Sequence, residues 1–374
     1  MTVAEPADVT LYQTFLPADS AVQYLDPEGQ PVVSGARYRR PDGRRLLAMY
    51  RNMVLGRRFD EQASALTKQG RLAVYPSSRG QEACQIAAAM CLRDEDWLFP
   101  TYRDSMALAT RGIDPVDVLR SLAGDWHCCF DPVRYRTAPQ ATPLATQLLH
   151  ATGLAHALDR RSARAAVLAL CGDGATSEGD FHEALNFAAV FHAPVIFLVQ
   201  NNGFAISVPL SRQSVAPSLA HKGVGYGVGS EQVDGNDPVA MLAVLDAARE
   251  HVLAGNGPVI IEAHTYRVSG HTNADDPRRY RTDEEVTQWI TRDPLRRLEI
   301  HLRTEGLLDD AYAAAVTTEA EELATAIREG MNRDRPVDVD ELFRHVYATP
   351  TSQLLEQREQ ARADSHLDHS EDHR

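Results

Sequence analysis

The sequence is short of cysteine and of net positive charge, and each shortage excludes a class of protein. Its 374 residues carry a formal net charge of −14, which argues against nucleic acid or an anionic membrane as a partner. The five cysteines are odd in number and contain no Cys-x-x-Cys spacing, so neither a disulfide framework nor a zinc site is predicted. They are Cys84, Cys91, Cys128, Cys129 and Cys171.

Long hydrophobic runs are also missing. No apolar stretch approaches the length of a membrane-spanning helix. The first residues, MTVAEPADVTLYQTFLP, contain acids and no early arginine, unlike a signal or transit peptide. Because the cysteines suit a reducing compartment, we expect a cytoplasmic protein that does not associate with membranes.

The remaining composition is that of an ordinary globular protein, with 44% hydrophobic and 24% charged residues. We predict an irregular arm at residues 1–40, an α/β body with a helical C-terminal part at residues 41–350, and a disordered tail at residues 351–374. There are no internal repeats. The length allows one large α/β domain or two smaller ones, and we favour a single large one.

The organising stretch is residues 166–202. An apolar run at 167–171 predicts a buried strand, and a second run at 195–199 predicts another. Between them, apolar residues recur at helical spacing, namely Phe181, Ala184, Leu185, Ala188 and Ala189. Strand, helix and strand at these lengths predict a right-handed βαβ unit with parallel strands.

Polar residues follow both predicted strands. Asp173 comes after the first and Asn202 after the second, so both are expected at the sheet edge where open α/β folds bind ligands. Their oxygens suit Mg²⁺, and the amides of Gly174 and Ala175 precede a helix N-terminus that favours an anion. Each turn sequence alone is more often structural. Together they predict a magnesium diphosphate site.

The GDG and NN sequences flanking this unit resemble the thiamin diphosphate signature. GDGATSEGDFHEALNFAAVF followed by NNGFAIS is similar to the alpha subunit of the decarboxylating component of 2-oxo acid dehydrogenase complexes, closest to the branched-chain type. The resemblance extends from about residue 70 to residue 347. It implies a doubly wound, mostly parallel α/β sheet of the thiamin diphosphate-binding fold, with helical N- and C-terminal extensions.

The resemblance also implies site residues and the cofactors thiamin diphosphate and Mg²⁺. The implied Mg²⁺ ligands are Asp173, Asn202 and the backbone carbonyl of Phe204, where the family usually has tyrosine. The implied cofactor contacts are Tyr102, Arg103, Thr142, Leu144, Asp173, Gly174, Ala175, Asn202, Arg267 and His271. Arginine suits a diphosphate because it pairs with phosphate bidentately and keeps its charge. Without the resemblance, Tyr102 and Arg103 would be interpreted as ordinary surface residues with a structural role and no ligand.

The segment TPLATQ, which begins at Thr142, matches the branched-chain type. Thr142 is predicted to be a helix N-cap with Pro143 at the first helical position. In relatives this turn binds K⁺ and places the residue at Leu144 against the thiamin. Ala141 stands where the family often has serine, and WHCCFDPVRYRTAPQ departs from the family's glycine-rich segment. K⁺ is therefore an open prediction here.

The polar segment 267–282 contains Arg267 and His271, which match the family's arginine and active-site histidine. A lone loop histidine is usually just solvated, so its predicted role as a proton donor and acceptor rests on the resemblance. Seven of the sixteen residues are charged or histidine, and we expect a loop that is mobile until diphosphate or a partner orders it. Thr272 and Thr282 occupy positions at which serines are phosphorylated in eukaryotic relatives.

The implied activity is thiamin diphosphate-dependent oxidative decarboxylation of a 2-oxo acid, of the branched-chain dehydrogenase type, with acylation of a lipoyl group on an acyltransferase. The sequence contains one diphosphate-type unit and no second, so we expect a separate beta subunit, an α2β2 assembly and no activity from the single chain. Eukaryotic relatives are mitochondrial, and the lack of a transit segment indicates a bacterial protein. Two alternatives remain: a pyruvate or acetoin dehydrogenase alpha subunit, and a non-catalytic alpha-like scaffold.

Overall fold

The computed structural model describes residues 15–32, 37–124, 128–333 and 338–371. The chain forms two compact units, Met1–Arg328 and Glu329–Arg374. The strands are β1 Trp97–Phe99, β2 Val167–Gly172, β3 Val195–Asn201, β4 Phe204–Ala205, β5 Val208–Pro209, β6 Gly229–Asp234 and β7 Val259–His264. The helices of the first unit before β4 are α1 Gly43–Lys68, α2 Glu82–Cys91, α3 Ser105–Thr110, α4 Pro115–Arg120, α5 Pro132–Tyr135, α6 Thr146–Arg160 and α7 Gly179–Val190.

After β5 come the remaining helices. They are α8 His221–Val224, α9 Pro238–Leu253, α10 Asp283–Ile290, α11 Pro294–Thr304, α12 Asp310–Met331, α13 Glu341–Arg344 and α14 Ser352–Glu371. Short 3-10 helices form at Ser121–Ala123, Asp173–Ser177, Leu210–Arg212 and Pro277–Arg279. Within the described ranges, no helix combines the length and apolar character that a membrane crossing requires.

The main sheet has five parallel strands in the order β1-β2-β3-β7-β6. The pairing of β2 with β3 puts Val167 opposite Val195 and Gly172 opposite Gln200. Strands, crossover helices and parallel pairing confirm the predicted doubly wound α/β fold and the βαβ unit at its centre.

Both faces of this sheet are buried. Side chains alternate along each strand, so successive residues pack into two different hydrophobic clusters. Leu168, Leu170, Ile196 and Leu198 pack into one hydrophobic cluster. The neighbouring residues of the same strands pack into a second cluster, with the helix α7 against it. Strands covered on both faces are continuously apolar rather than alternating, which is why they were visible in the sequence as short apolar runs.

The described part of the N-terminal arm lies against the sheet edge at β6. Val22 donates from its backbone N–H to the carbonyl of Gln232 at 2.8 Å. The backbone N–H groups of Tyr24 and Leu25 donate to the buried carboxylate of Asp237 at 2.6 and 2.7 Å. Residues 1–14 and 33–36 of the predicted arm lie outside the described residues.

The predicted disordered tail at residues 351–374 is wrong over most of its length, because the structure has helix α14, Ser352–Glu371, there. Its sequence is rich in Leu, Gln, Glu, Arg and Ala, which are strong helix formers. Arg362 also pairs with Asp340 and Glu359. Low hydrophobicity predicts weak packing against the rest of a protein, but it does not lower the intrinsic tendency of these residues to form a helix. Residues 372–374 lie outside the described residues.

We expect the buried Asp96–Arg249 pair to be a main stabilising contact between α9 and the turn before β1. Asp96 is fully buried and accepts from Arg249 Nε at 2.6 Å and from the backbone N–H of Ala166 at 2.8 Å. Asp96→Ala leaves the buried Arg249 with a weaker ion pair, to the half-exposed Glu95 at 3.3 Å, and should lower the free energy of unfolding by roughly 3 kcal/mol in denaturant titrations. Glu299→Ala, which breaks an exposed pair with Arg303, should have a much smaller effect, and equal effects would contradict the prediction.

Candidate cofactor-binding site

One cavity lies at the carboxyl ends of β2 and β3. It is lined by residues from six separate parts of the chain, including ten of the eleven predicted site residues. These ten are Tyr102, Arg103, Leu144, Asp173, Gly174, Ala175, Asn202, Phe204, Arg267 and His271. The eleventh, Thr142, is exposed and does not line the cavity.

Asp173 begins the 3-10 helix Asp173–Ser177 immediately after β2 and is almost fully buried. Its Oδ2 accepts from Gln213 Nε2 at 2.7 Å. Burial raises the pKa of the Asp173 carboxyl, and the Gln213 hydrogen bond opposes that rise. A cation bound at the carboxylate would oppose it further. Gln213 is not predictable from the sequence, because nothing in a polar loop forty residues away signals that its amide reaches Asp173.

Asn202 follows β3 and is also buried. Its Nδ2 donates to Gln81 Oε1 at 3.1 Å, and its Oδ1 accepts from the backbone N–H of Phe204 at 3.3 Å. Because an amide oxygen has two lone pairs, Oδ1 retains acceptor capacity for a cation. Asp173 and Asn202 therefore bring a carboxylate oxygen and an amide oxygen to one cavity.

This donor set is incomplete for a protein-only metal site. No group of three or more His, Cys, Asp or Glu residues in the described part of the chain could hold a metal ion. Mg²⁺ in proteins, however, often takes only one or two side chains and completes its octahedron with substrate phosphates and water. The residues present fit a magnesium ion that arrives with a diphosphate.

Gly174 gives the turn after β2 the room that this arrangement needs. A Cβ atom at this position would lie 2.8 Å from the Cβ of Ala205, closer than real side chains approach. The backbone of the GDG turn can therefore lie directly against β4, the strand that begins with Phe204. This explains the glycine after Asp173 without any ligand.

Two buried arginines bring positive charge to the cavity. Arg103 donates from Nη1 to the carbonyl of Ser77 at 2.9 Å and from Nη2 to the carbonyl of His271 at 3.0 Å. Arg267, which is 1% exposed, donates from Nη2 to the carbonyl of Ile206 at 2.6 Å and to the Tyr280 hydroxyl at 2.8 Å. Each guanidinium is thus fixed by protein carbonyls and remains an anion-binding group.

The arginines also decide the state of His271. Its Nδ1 lies 3.1 Å from Arg103 Nη2 and 3.3 Å from Arg267 Nη1. Guanidinium groups only donate, so Nδ1 accepts and the ring proton lies on Nε2. Burial, and then the charges of Arg103 and Arg267, lower the pKa of His271 to about 4. The histidine is a neutral ring with one N–H to donate.

The loop around His271 is folded by its own charged residues. Arg281 is buried and donates to the backbone carbonyls of Arg267, Val268 and Ser269. Asp275 accepts from the backbone N–H of His271 at 2.7 Å. The charge count that led us to expect a mobile loop overlooked arginines that bind the loop's own carbonyls. Its mobility stays a prediction.

The neighbouring Ser77–Gln81 stretch is joined to this loop by backbone contacts. Val268 donates from its backbone N–H to the carbonyl of Arg79 at 3.0 Å, and Thr265 Oγ1 donates to the carbonyl of Gly80 at 2.6 Å. A Cβ atom at Gly80 would lie 2.0 Å from the carbonyl oxygen of Tyr266, and the residue has a φ of +94°. Only glycine allows this approach.

The predicted capping role of Thr142 is wrong. Helix α6 begins at Thr146, and its N-cap is Ala145, which has a left-handed φ of 64°. The turn from Thr142 to Ala145 therefore precedes the helix, and it brings Leu144, rather than a cap, to the cavity. Pro143 misled the sequence prediction because proline suits turns as well as first helical positions. Thr282, by contrast, caps α10 by accepting from the backbone N–H of Glu285 at 3.2 Å.

Comparison with known proteins gives a consistent result. The family described as "Dehydrogenase E1 component" matches residues 50–333. The chain is 46% identical over 343 residues to the 3-methyl-2-oxobutanoate dehydrogenase subunit alpha of Mycobacterium tuberculosis, covering 92% of this chain and 94% of that protein. It is 36% identical over 342 residues to the pyruvate dehydrogenase E1 component subunit alpha of Staphylococcus aureus, covering 90% and 91%.

The state of His271 leads to a prediction. Because the folded-state pKa of about 4 lies below the ordinary 6.5, the neutral ring stabilises the fold above pH 6.5, and this contribution is lost as the pH falls toward 4. NMR of the free protein, with the resonance assigned through His271→Gln, should show no His271 titration down to about pH 5. Magnesium and diphosphate should raise its pKa, since phosphate offsets the arginine charge. A free-protein midpoint near 6.5 would contradict the assignment.

Proposed function

The chain belongs to the dehydrogenase E1 component family, and from that premise we propose that it is the alpha subunit of a branched-chain 2-oxo acid dehydrogenase. Its reaction is the thiamin diphosphate-dependent oxidative decarboxylation of a 2-oxo acid, with transfer of the acyl group to a lipoyl group. The observation that carries this proposal is the convergence of Asp173, Asn202, Arg103, Arg267 and His271 on one cavity.

The proposed metal site follows from the donor chemistry. Asp173, Asn202 and the backbone carbonyl of Phe204 would hold Mg²⁺, and the ion would neutralise the diphosphate. The amides of Gly174 and Ala175 lie in the turn that lines the same cavity. Potassium stays a prediction. The buried Oε1 of Gln147 has no protein partner in the described chain, but one oxygen does not make a cation site.

The chain's own groups have separate tasks in the proposed mechanism. Bound thiamin diphosphate supplies the carbanion chemistry of decarboxylation. Arg103 and Arg267 bind its phosphates and hold His271 in one tautomer through Nδ1. His271 would donate a hydrogen bond from its Nε2–H to the bound substrate, because its depressed pKa keeps the ring neutral at physiological pH and the arginines keep the ring proton on Nε2. Tyr102 packs edge-on against this ring, with 6.1 Å between centroids, and fixes its plane.

The partners follow from the family. An E1 alpha subunit acts with a beta subunit and delivers its product to the acyltransferase of the complex, and we propose an α2β2 assembly with the cofactor between the two chains. Leu144 and Ile206 are apolar, exposed and at the rim of the cavity, which is consistent with a partner closing it. We also propose a bacterial cytoplasmic location, which suits five cysteines that form no disulfide.

The alternatives are less well supported. A pyruvate or acetoin dehydrogenase would use the same site, and the pyruvate dehydrogenase relative is 36% identical where the branched-chain relative is 46% identical. A non-catalytic scaffold would have no need for a buried carboxylate, a buried amide and two buried arginines around one histidine. Burying charged groups costs free energy even when they have protein partners, so their concentration around one cavity favours a ligand.

The first test concerns the metal. Asp173→Ala should abolish Mg²⁺-dependent thiamin diphosphate binding to the assembled complex in calorimetry while the thermal unfolding profile stays that of a folded protein, because the only carboxylate in the proposed ligand set is lost. Asp180→Ala is a matched control, since its side chain contacts Thr146 and lies outside the cavity lining. Unchanged cofactor binding by Asp173→Ala would remove the metal assignment.

The second test concerns the substrate. With the beta chain present, kcat/KM should be higher for branched-chain 2-oxo acids than for pyruvate, and the single chain should be inactive. Apolar pockets discriminate by about 1–3 kcal/mol per methylene, so the preference should be roughly 10- to 200-fold with some overlap. A higher kcat/KM for pyruvate or acetoin would support the alternative enzyme, and no turnover of any 2-oxo acid by a cofactor-loaded complex would support the scaffold.

A further inference from the structure

A chain of hydrogen-bonded side chains lies beneath the cavity and connects Asp104 to Asn202. Gln200 Nε2 donates to Asp104 Oδ1 at 2.7 Å, and Gln81 Nε2 donates to Gln200 Oε1 at 2.9 Å. Asn202 Nδ2 then donates to Gln81 Oε1 at 3.1 Å. All four side chains are buried, so water does not compete for these contacts.

All three hydrogen bonds in this series point toward Asp104, and Asp104 fixes that donor-to-acceptor direction. Asp104 Oδ2 accepts from both the backbone N–H and the Oγ1 of Thr101, each at 2.7 Å. An ionised carboxylate has acceptors and no donor. The amide of Gln200 must therefore turn its NH₂ group toward Asp104 and its oxygen toward Gln81.

The same constraint passes along the chain to the metal site. Each primary amide has one donor end and one acceptor end, so fixing one end fixes the other. The Oε1 atom of Gln81 accepts a hydrogen bond from the Nδ2 atom of Asn202. Asn202 Oδ1 is thereby turned away from Gln81 and contacts the backbone N–H of Phe204 at 3.3 Å. Mg²⁺ binds amide oxygen and not amide nitrogen, so the orientation of Asn202 decides whether it is a ligand.

We propose that Asp104 is a positioning residue for Mg²⁺, acting through Gln200 and Gln81 on the amide of Asn202. This inference rests on the proposed function, because it assumes that Asn202 is a Mg²⁺ ligand. Asp104 does not line the cavity. Residues that orient metal ligands typically change metal affinity 10- to 100-fold when they are replaced, and the expected loss lies in that range.

The first variant is Asp104→Asn. This substitution conserves the shape of the side chain but supplies an NH₂ group. The side-chain amides of Gln200, Gln81 and Asn202 can then all rotate by 180°, which turns Asn202 Nδ2 toward the metal in place of Oδ1. Calorimetry of the assembled complex with thiamin diphosphate should show Mg²⁺ affinity reduced about 10-fold. The KM for Mg²⁺ should rise by the same factor, while kcat at saturating Mg²⁺ should stay close to that of the unmodified protein.

The second experiment places a carboxylate directly beside Asn202, by the substitution Gln81→Glu. A glutamate at position 81 can only accept hydrogen bonds, so Asn202 Nδ2 must point toward it whichever residue stands at position 104. Adding Asp104→Asn to this background lets Gln200 reverse and should cost less than about twofold in Mg²⁺ affinity. Comparing the two backgrounds cancels any direct effect of the new charge on the ion.

The outcomes separate a directional role from general destabilisation. An equal loss in both backgrounds, or no loss in the natural one, overturns the role of Asp104. Asp96→Asn is the matched control: it is equally buried but lies at the other end of β1, and it should leave Mg²⁺ affinity unchanged. If Asp104→Asn does not fold, Gln81→Leu interrupts the hydrogen-bonded series next to Asn202 and should lower Mg²⁺ affinity about 10-fold, and unchanged affinity overturns the proposal.

The proposed function and this inference fail differently. If Asp173→Ala leaves Mg²⁺ binding intact, the metal site itself is wrong. If Asp173→Ala abolishes binding while Asp104→Asn has equal effects in the two backgrounds, only the positioning role of Asp104 is wrong.

Discussion

The in-register parallel pairing of β2 with β3 is the constraint on which the site depends. It puts Gly172 beside Gln200. Asp173 comes directly after Gly172 and Asn202 comes two residues after Gln200, so both lie at the same edge of the sheet. Neither strand can shift along the other without turning its buried side chains into the wrong cluster. The two apolar faces of the sheet thereby fix, to within a residue, where a carboxylate and an amide from distant parts of the sequence meet.

Within that frame, side chains with a single hydrogen-bonding role set the orientation of the others. Arginine only donates, so Arg103 and Arg267 place the proton of His271 on Nε2. An ionised carboxylate only accepts, so Asp104 fixes the direction of the amides that lead to Asn202. Amides and imidazoles are ambiguous by themselves. Contact with unambiguous partners, in places from which water is excluded, gives them a defined state before any ligand arrives.

The sequence predicted the parts of the site that depend on order along the chain. The strands β2 and β3, the helix α7, Asp173 and Asn202 are predictable because apolar runs, helical spacing and turn residues are local signals. Gln213 and Asp104 are not, since their contacts join segments far apart in sequence and a polar residue carries no sign of its distant partner. Local signals also misled at Thr142, where a turn resembles a cap, and in the tail, where polarity concealed the helix propensity of α14.

The close approach of Gly80 to Tyr266 has a consequence for exchange of parts between relatives. The Ser77–Gln81 stretch and the loop that carries His271 share backbone hydrogen bonds through Arg79 and Val268, and Thr265 binds the Gly80 carbonyl across 185 residues of sequence. The two segments therefore form one spatial module. A chimaera that takes the histidine loop from a homologue must take the matching glycine loop as well, because a backbone-to-backbone contact of this kind tolerates no independent change in length on either side.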